Sequence, residues 1–97
     1  VQIKINNDEI IIAGSIKTID DGEHLKKTIY LSMSNAIKNR LAIHIIDSSI
    51  ITSYIINMLL KAVKHDSLHL TLYVYQEDLY ELFCHLELME ELNIVKA

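Results

Sequence analysis

Cys84 and His85 stand side by side, a thiol next to a base, which are the ingredients of a nucleophilic pair. Neighbours on a helix point about 100° apart, so the two cannot meet there, and a structural cysteine is expected. His65 and His69 are four residues apart, a spacing that joins two metal ligands within one helix. Here they straddle a helix end and a strand start with no third ligand, so surface histidines are expected. Asp20, Asp21, Glu23 and His24 could be drawn as an oxygen-rich metal site, but helix capping accounts for the carboxylates. His44 interrupts an apolar run and reads as a satisfied core or rim histidine. Gly14 and Gly22 are the only glycines, and neither opens a phosphate-cradling loop. No catalytic residue, metal site or cofactor is indicated, and the chain is expected not to be an enzyme.

The stretch IIDSSIITSYIINMLL, residues 45–60, poses a different question. Asp47, Ser48, Ser49, Thr52 and Ser53 form a polar cluster between apolar flanks. At the start of a helix a Ser or Thr accepts a bond from an orphaned backbone N–H, and its loss costs ~0.5–2 kcal/mol. On that reading Ser53 is a cap. The second reading is modification, because a solvent-facing helix N-terminus favours an anion. A phosphate on Ser53 would add about −1.5 to −2 charges to a chain of net charge −4. It would repel an acidic or apolar partner while leaving the fold intact. Asp47, Ser49, Thr52, Ser53, Tyr54 and Asn57 make up the expected partner-binding surface, since tyrosine offers contact area at low entropic cost. Packing of Tyr54 on a neighbouring loop is the alternative.

The elements around that stretch are legible from periodicity. Val1 to Ile5 alternates as a half-buried strand, Asn6-Asn7-Asp8 is turn chemistry, and Glu9 to Lys17 follows as a second strand. The two should pair as a hairpin, with Gly14 marking a bulge or close approach. Asp20 and Glu23 carry a capping-box spacing, and Leu25, Ile29, Met33 and Ile37, widened by Ala36, form the stripe of an amphipathic helix. Lys26, Lys27, Lys38 and Asn39 fall off that stripe, and Lys38 and Arg40 suit the helix's negative end. Leu41 to Ile46 suits a central strand covered on both faces. A second helix runs from about Ser53 to His65-Asp66-Ser67. A fourth strand alternates through Leu70, Leu72 and Val74 with one wetter face. Glu77 and Asp78 open a third helix carrying Leu79, Leu82, Phe83 and Leu86. Leu88, Met89 and Leu92 suggest a short turn before Ile94-Val95. The order β-β-α-β-α-β-α, with a further short turn or strand, predicts one small α/β domain over residues 1–97. Its sheet should be mostly parallel with one antiparallel edge.

Bulk properties narrow the function. The chain has 97 residues, half of them apolar, enough for one core. No run of Lys or Arg exists, so nucleic acid is not an expected partner. A lone cysteine indicates no oxidising compartment. No apolar run reaches the ~18–20 residues that span a bilayer, and no basic-then-apolar signal opens the chain, which begins at Val1. A cytoplasmic location is expected.

At this point the sequence resembles the STAS domain family, which includes anti-sigma factor antagonists and cytoplasmic regions of sulphate transporters. Placing Leu59-Leu60-Lys61-Ala62 on the family's leucine-rich helix puts Thr52-Ser53-Tyr54-Ile55 on its Asp-Ser-Ser-Gly-like turn and Leu41 to Ile46 on the strand before it. Ala13-Gly14-Ser15-Ile16 resembles the early strand with its glycine, and Leu82 to Val95 the closing helix, turn and apolar pair. Thr52 stands where the family has Asp, and Ile55 where it has Gly. The resemblance implies a STAS-like fold and a regulatory protein–protein interaction module. It implies that Ser53 is the residue phosphorylated by an anti-sigma factor-type kinase, with Ser48 and Ser49, in the more literal Asp47-Ser48-Ser49, as second choices. The alternative it implies is an unphosphorylated structural subunit of a scaffold or of a lipid or anion transport complex.

Overall fold

The structure is a computed structural model in which residues 1–35 and 40–97 are described. Ala36, Ile37, Lys38 and Asn39, expected at the end of the first helix, lie outside the described residues. Eight elements follow in order: β1 (Gln2–Asn6), β2 (Glu9–Ala13), α1 (Ile19–Asn35), β3 (Arg40–Ile45), α2 (Ser53–His65), β4 (His69–Val74), α3 (Glu77–His85) and β5 (Ile94–Lys96). The strands form one five-stranded sheet in the order β1-β2-β3-β4-β5, with β1 and β2 antiparallel and every other pair parallel. This is the expected α/β class, element order and mixed sheet.

The hairpin turns at Asn7, which adopts φ 58°, a left-handed conformation that Asn tolerates. Strand β2 ends at Ala13 rather than Lys17, because Gly14 takes φ 96° and turns the chain out of the sheet. A side chain at Gly14 would be strained by that φ, and its Cβ would come within 3.1 Å of the Val1 backbone.

Helix α1 starts two residues earlier than expected. Thr18 and Asp21 form the capping box: Asp21 N–H donates to Thr18 Oγ1 at 3.1 Å, and Asp21 Oδ2 accepts from the N–H groups of Lys17 and Thr18, each at 3.1 Å. Asp20 is therefore not the cap, and Arg40 opens β3 instead of closing α1. The backbone N–H of Lys17, then that of Thr18, holds the Asp21 carboxyl below its ordinary value of 3.8. A depressed folded-state pKa stabilises the fold above that ordinary value and is lost as the pH falls through the lower one. Asp21→Asn should therefore be less stable than wild type near neutral pH, and the gap should close progressively below pH 3.8, as read by urea unfolding at a series of pH values.

Each crossover carries the chain one strand further in the same direction, so crossovers of one hand place α1, α2 and α3 on the same face. Burial agrees. Ile10, Ile12, Leu41, Ile43, Ile45, Leu70, Leu72 and Val74 are buried, and the residues alternating with them are half-buried or exposed. Against them pack Leu25 and Ile29 of α1, Ile55, Met58, Leu59 and Ala62 of α2, and Leu79 and Phe83 of α3. The expectation that β3 is covered on both faces is thus corrected. Its unbroken apolar run hides an alternation, with Ala42 and His44 on the uncovered side.

Candidate functional site

The polar cluster lies where the chain leaves β3 and enters α2, at the carboxyl end of the parallel strands. Two of its residues lace this connection to the one between β2 and α1. Gly14 N–H donates to Asp47 Oδ1 at 2.6 Å, and Ile16 N–H donates to Ser48 Oγ at 3.1 Å. Ser48 Oγ also donates to the Ile50 carbonyl at 2.6 Å, and the residue is completely buried. Both hydrogen-bonding functions of that hydroxyl are taken. Ser48 therefore leaves the set of accessible modification candidates, whereas Ser49 stays exposed.

The cap of α2 is Thr52, not Ser53. Thr52 has extended backbone, φ −84° and ψ 153°, and its Oγ1 accepts from Ile55 N–H across a long 3.4 Å. Ser53 is thereby the first residue of the helix proper, and it is exposed. The two readings of the cluster divide between neighbours: capping belongs to Thr52, and Ser53 keeps an accessible hydroxyl at a helix N-terminus. Thr52→Ala should cost about 1 kcal/mol, while Ser53→Ala should stay within about 0.5 kcal/mol of wild type, both measured by urea unfolding.

Tyr54 combines its two expected fates. Its hydroxyl donates to Glu23 Oε1 of α1 at 2.9 Å, and Lys26 Nζ lies 5.8 Å from its ring centroid. Hydrogen bonding to the Tyr54 side chain raises the Lys26 ammonium above its usual value. Gly22 lies under this contact, where a Cβ would meet the Tyr54 and Ile55 side chains at an ordinary 3.4 Å. Yet Tyr54 remains 44% exposed, beside exposed Ser49, Ser53 and Asn57. Asp47 is exposed but its carboxylate is engaged with Gly14, and Thr52 is half-buried by its capping role. Periodicity missed Ile50, which is 45% exposed and widens the patch with apolar surface. Its only signal was its place in an apolar run too short to be all helix or all strand.

His44 is the satisfied rim histidine that its place in an apolar strand suggested. His44 Nε2 lies 3.1 Å from Glu9 Oε1, its Nδ1 lies 2.9 Å from the Tyr75 hydroxyl, and its ring stacks on Tyr73 with centroids 4.5 Å apart. An ionised Glu9 only accepts, so Nε2 carries the proton, and in the neutral ring Nδ1 accepts from Tyr75. Among the described residues, no group of three or more His, Cys, Asp or Glu side chains could hold a metal ion. Cys84 is exposed on α3. A cavity of about 450 Å³ opens at the other end of the strands, with Asp8, Arg40, His69 and Glu91 among its lining residues. No described helix is long and apolar enough to cross a membrane.

No protein-family model matches the sequence, and neither does any curated protein. Among solved structures the fold is similar to that of the protein TM1081, determined by NMR, with a TM-score of 0.67 and 17% identity over 98% of this chain and 79% of that one. At that identity the likeness carries the architecture, a small α/β domain on a mixed five-stranded sheet.

Proposed function

We propose that this chain is a regulatory protein–protein interaction module of the STAS type, acting in the manner of an anti-sigma factor antagonist in the cytoplasm, with Ser53 as its phosphoacceptor. The observation that carries this reading is the exposed Ser53 hydroxyl on the first residue of α2, relieved of capping by Thr52. In this reading the catalytic groups are the partner's. A partner kinase brings ATP and a base; Ser53 Oγ attacks the γ-phosphorus, its proton passes to that base, and ADP leaves. The partner docks on Ser49, Ile50, Ser53, Tyr54 and Asn57, whose mixture of hydroxyl, aromatic and aliphatic surface suits a protein contact.

A second reading, a constitutive structural subunit of a scaffold or transport complex, draws on two observations. Ile55 is fully buried where the resembled turn has glycine, and Tyr54 is already tied to Glu23. Affinity capture from the source cell, with mass spectrometry of bait and prey, separates the two. An ATP-binding kinase recovered with phosphate on Ser53 supports the switch. Scaffold or transporter subunits recovered with Ser53 unmodified would replace it with the structural role.

A further inference from the structure

Among the described residues the helices cover one face of the sheet only, yet four of the five strands run parallel. Parallel sheets are ordinarily covered on both faces. The uncovered face has a centre and a rim. Ile11, Ala42 and Tyr73 are half-buried at its centre on β2, β3 and β4, while Lys4, Arg40 and His69 are exposed around it. Aromatic and apolar residues inside a charged margin are the anatomy of a protein interface.

Two further observations point to what covers it. First, the polar groups of the centre are already paired with one another. His44 engages Glu9 and Tyr75, and Asn93 Nδ2 donates to Thr71 Oγ1 at 3.1 Å. Burying this face therefore leaves those bonds intact, and the partner need bring few polar groups of its own. Second, Glu9 is the one acidic residue in the five strands, and on this face it stands against two basic residues, Lys4 and Arg40. The chain's charge of −4 thus resides elsewhere, and two copies meet here with little repulsion.

We propose that this face is a self-association surface on which the same face of a second copy packs, giving a two-sheet sandwich with helices outermost. An isologous dimer requires a surface complementary to itself, and an apolar centre with internally satisfied polar groups meets that requirement. Strands ~4.8 Å apart and ~3.3 Å per residue give a plane of roughly 24 by 18 Å. Counting both copies and the relief of their side chains brings the buried area to about 1,000 Å², the lower bound for a specific interface. The dimer is accordingly weak and concentration-dependent. It leaves the Ser53 surface, on the helical side, free.

Sedimentation equilibrium on the wild-type chain, Ala42→Lys, Val95→Lys and Leu31→Ser tests this. Val95 pairs with Tyr73 on the same face, and Leu31 is an exposed residue of α1. Wild type and Leu31→Ser should dimerise alike, and each lysine variant should weaken association at least about tenfold with an unchanged far-UV CD spectrum. A folded wild type that stays monomeric to about 1 mM would overturn the proposal and leave the face to a different protein. So would a dimer indifferent to both lysines or dissolved by Leu31→Ser. Should either lysine variant not fold, concentration-dependent amide shifts of the wild type decide: shifts centred on Ile11, Ala42 and Tyr73 support the dimer, and shifts centred on α1 or α3 refute it.

Discussion

Ser53→Asp is expected to weaken binding of the partner kinase at least tenfold, about 1.4 kcal/mol or more, without lowering the stability of the fold. The two halves of this expectation have separate causes. A carboxylate on the first residue of α2 meets the positive end of the helix dipole, which contributes ~0.3–1 kcal/mol of stabilisation at an exposed site. The cap is undisturbed because Thr52 supplies it. The partner, by contrast, would lay an apolar or acidic surface over Ile50 and Tyr54, and a charge in that contact must be desolvated without a counter-charge. Ser53→Ala is expected to bind as wild type does and to resist regulation. Titration calorimetry for binding and urea unfolding for stability read the two effects independently. A Ser53→Asp chain that binds unchanged, or an Ala variant still switched off by the kinase and ATP, would remove Ser53 from the mechanism.

That prediction depends on a one-residue distinction that the sequence could not make. Thr52 and Ser53 are adjacent hydroxyls, and either can cap a helix. Only the backbone dihedrals of Thr52, extended and so outside the helix, settle which one does. The same ambiguity moved the start of α1: Asp20 with Glu23 and Thr18 with Asp21 both have capping-box spacing. The second wins because the Asp21 carboxylate reaches two backbone donors at once. Elements, by contrast, were legible wherever a period was strong. α2 and β4 fall where the helical stripe and alternation place them, because one-sided burial imposes those periods. The run Leu41 to Ile46 misled because Ala42 and Ile46 are apolar on the uncovered side as well. Unbroken hydrophobicity therefore looked like burial on both faces. Least legible of all was the role of Ser48. Its bond to Ile16 N–H spans 32 positions of sequence, and no local pattern encodes a contact of that range.

Ser48→Ala is for that reason the most informative loss within the connection itself, and it should cost about 2–3 kcal/mol of stability. The hydroxyl accepts from Ile16 N–H and donates to the Ile50 carbonyl. Its removal leaves a donor and an acceptor unpaired around a fully buried position, and each such group costs ~1–3 kcal/mol before relaxation. Ser49→Ala, one residue on and exposed, should stay within about 0.5 kcal/mol, so the pair controls for composition and loop position. Urea unfolding measures both. The consequence for function follows from where the bond lies. Ser48 fixes the β3–α2 connection against the β2–α1 connection, and that connection presents Thr52 and Ser53. Without the bond, the Ile16 amide should exchange with solvent faster, and phosphate transfer to Ser53 should slow even though Ser53 itself is unchanged. Equal stability in the Ser48 and Ser49 variants would mean that water replaces the hydroxyl at no cost, and that the two connections are held together by Asp47 and Gly14 alone.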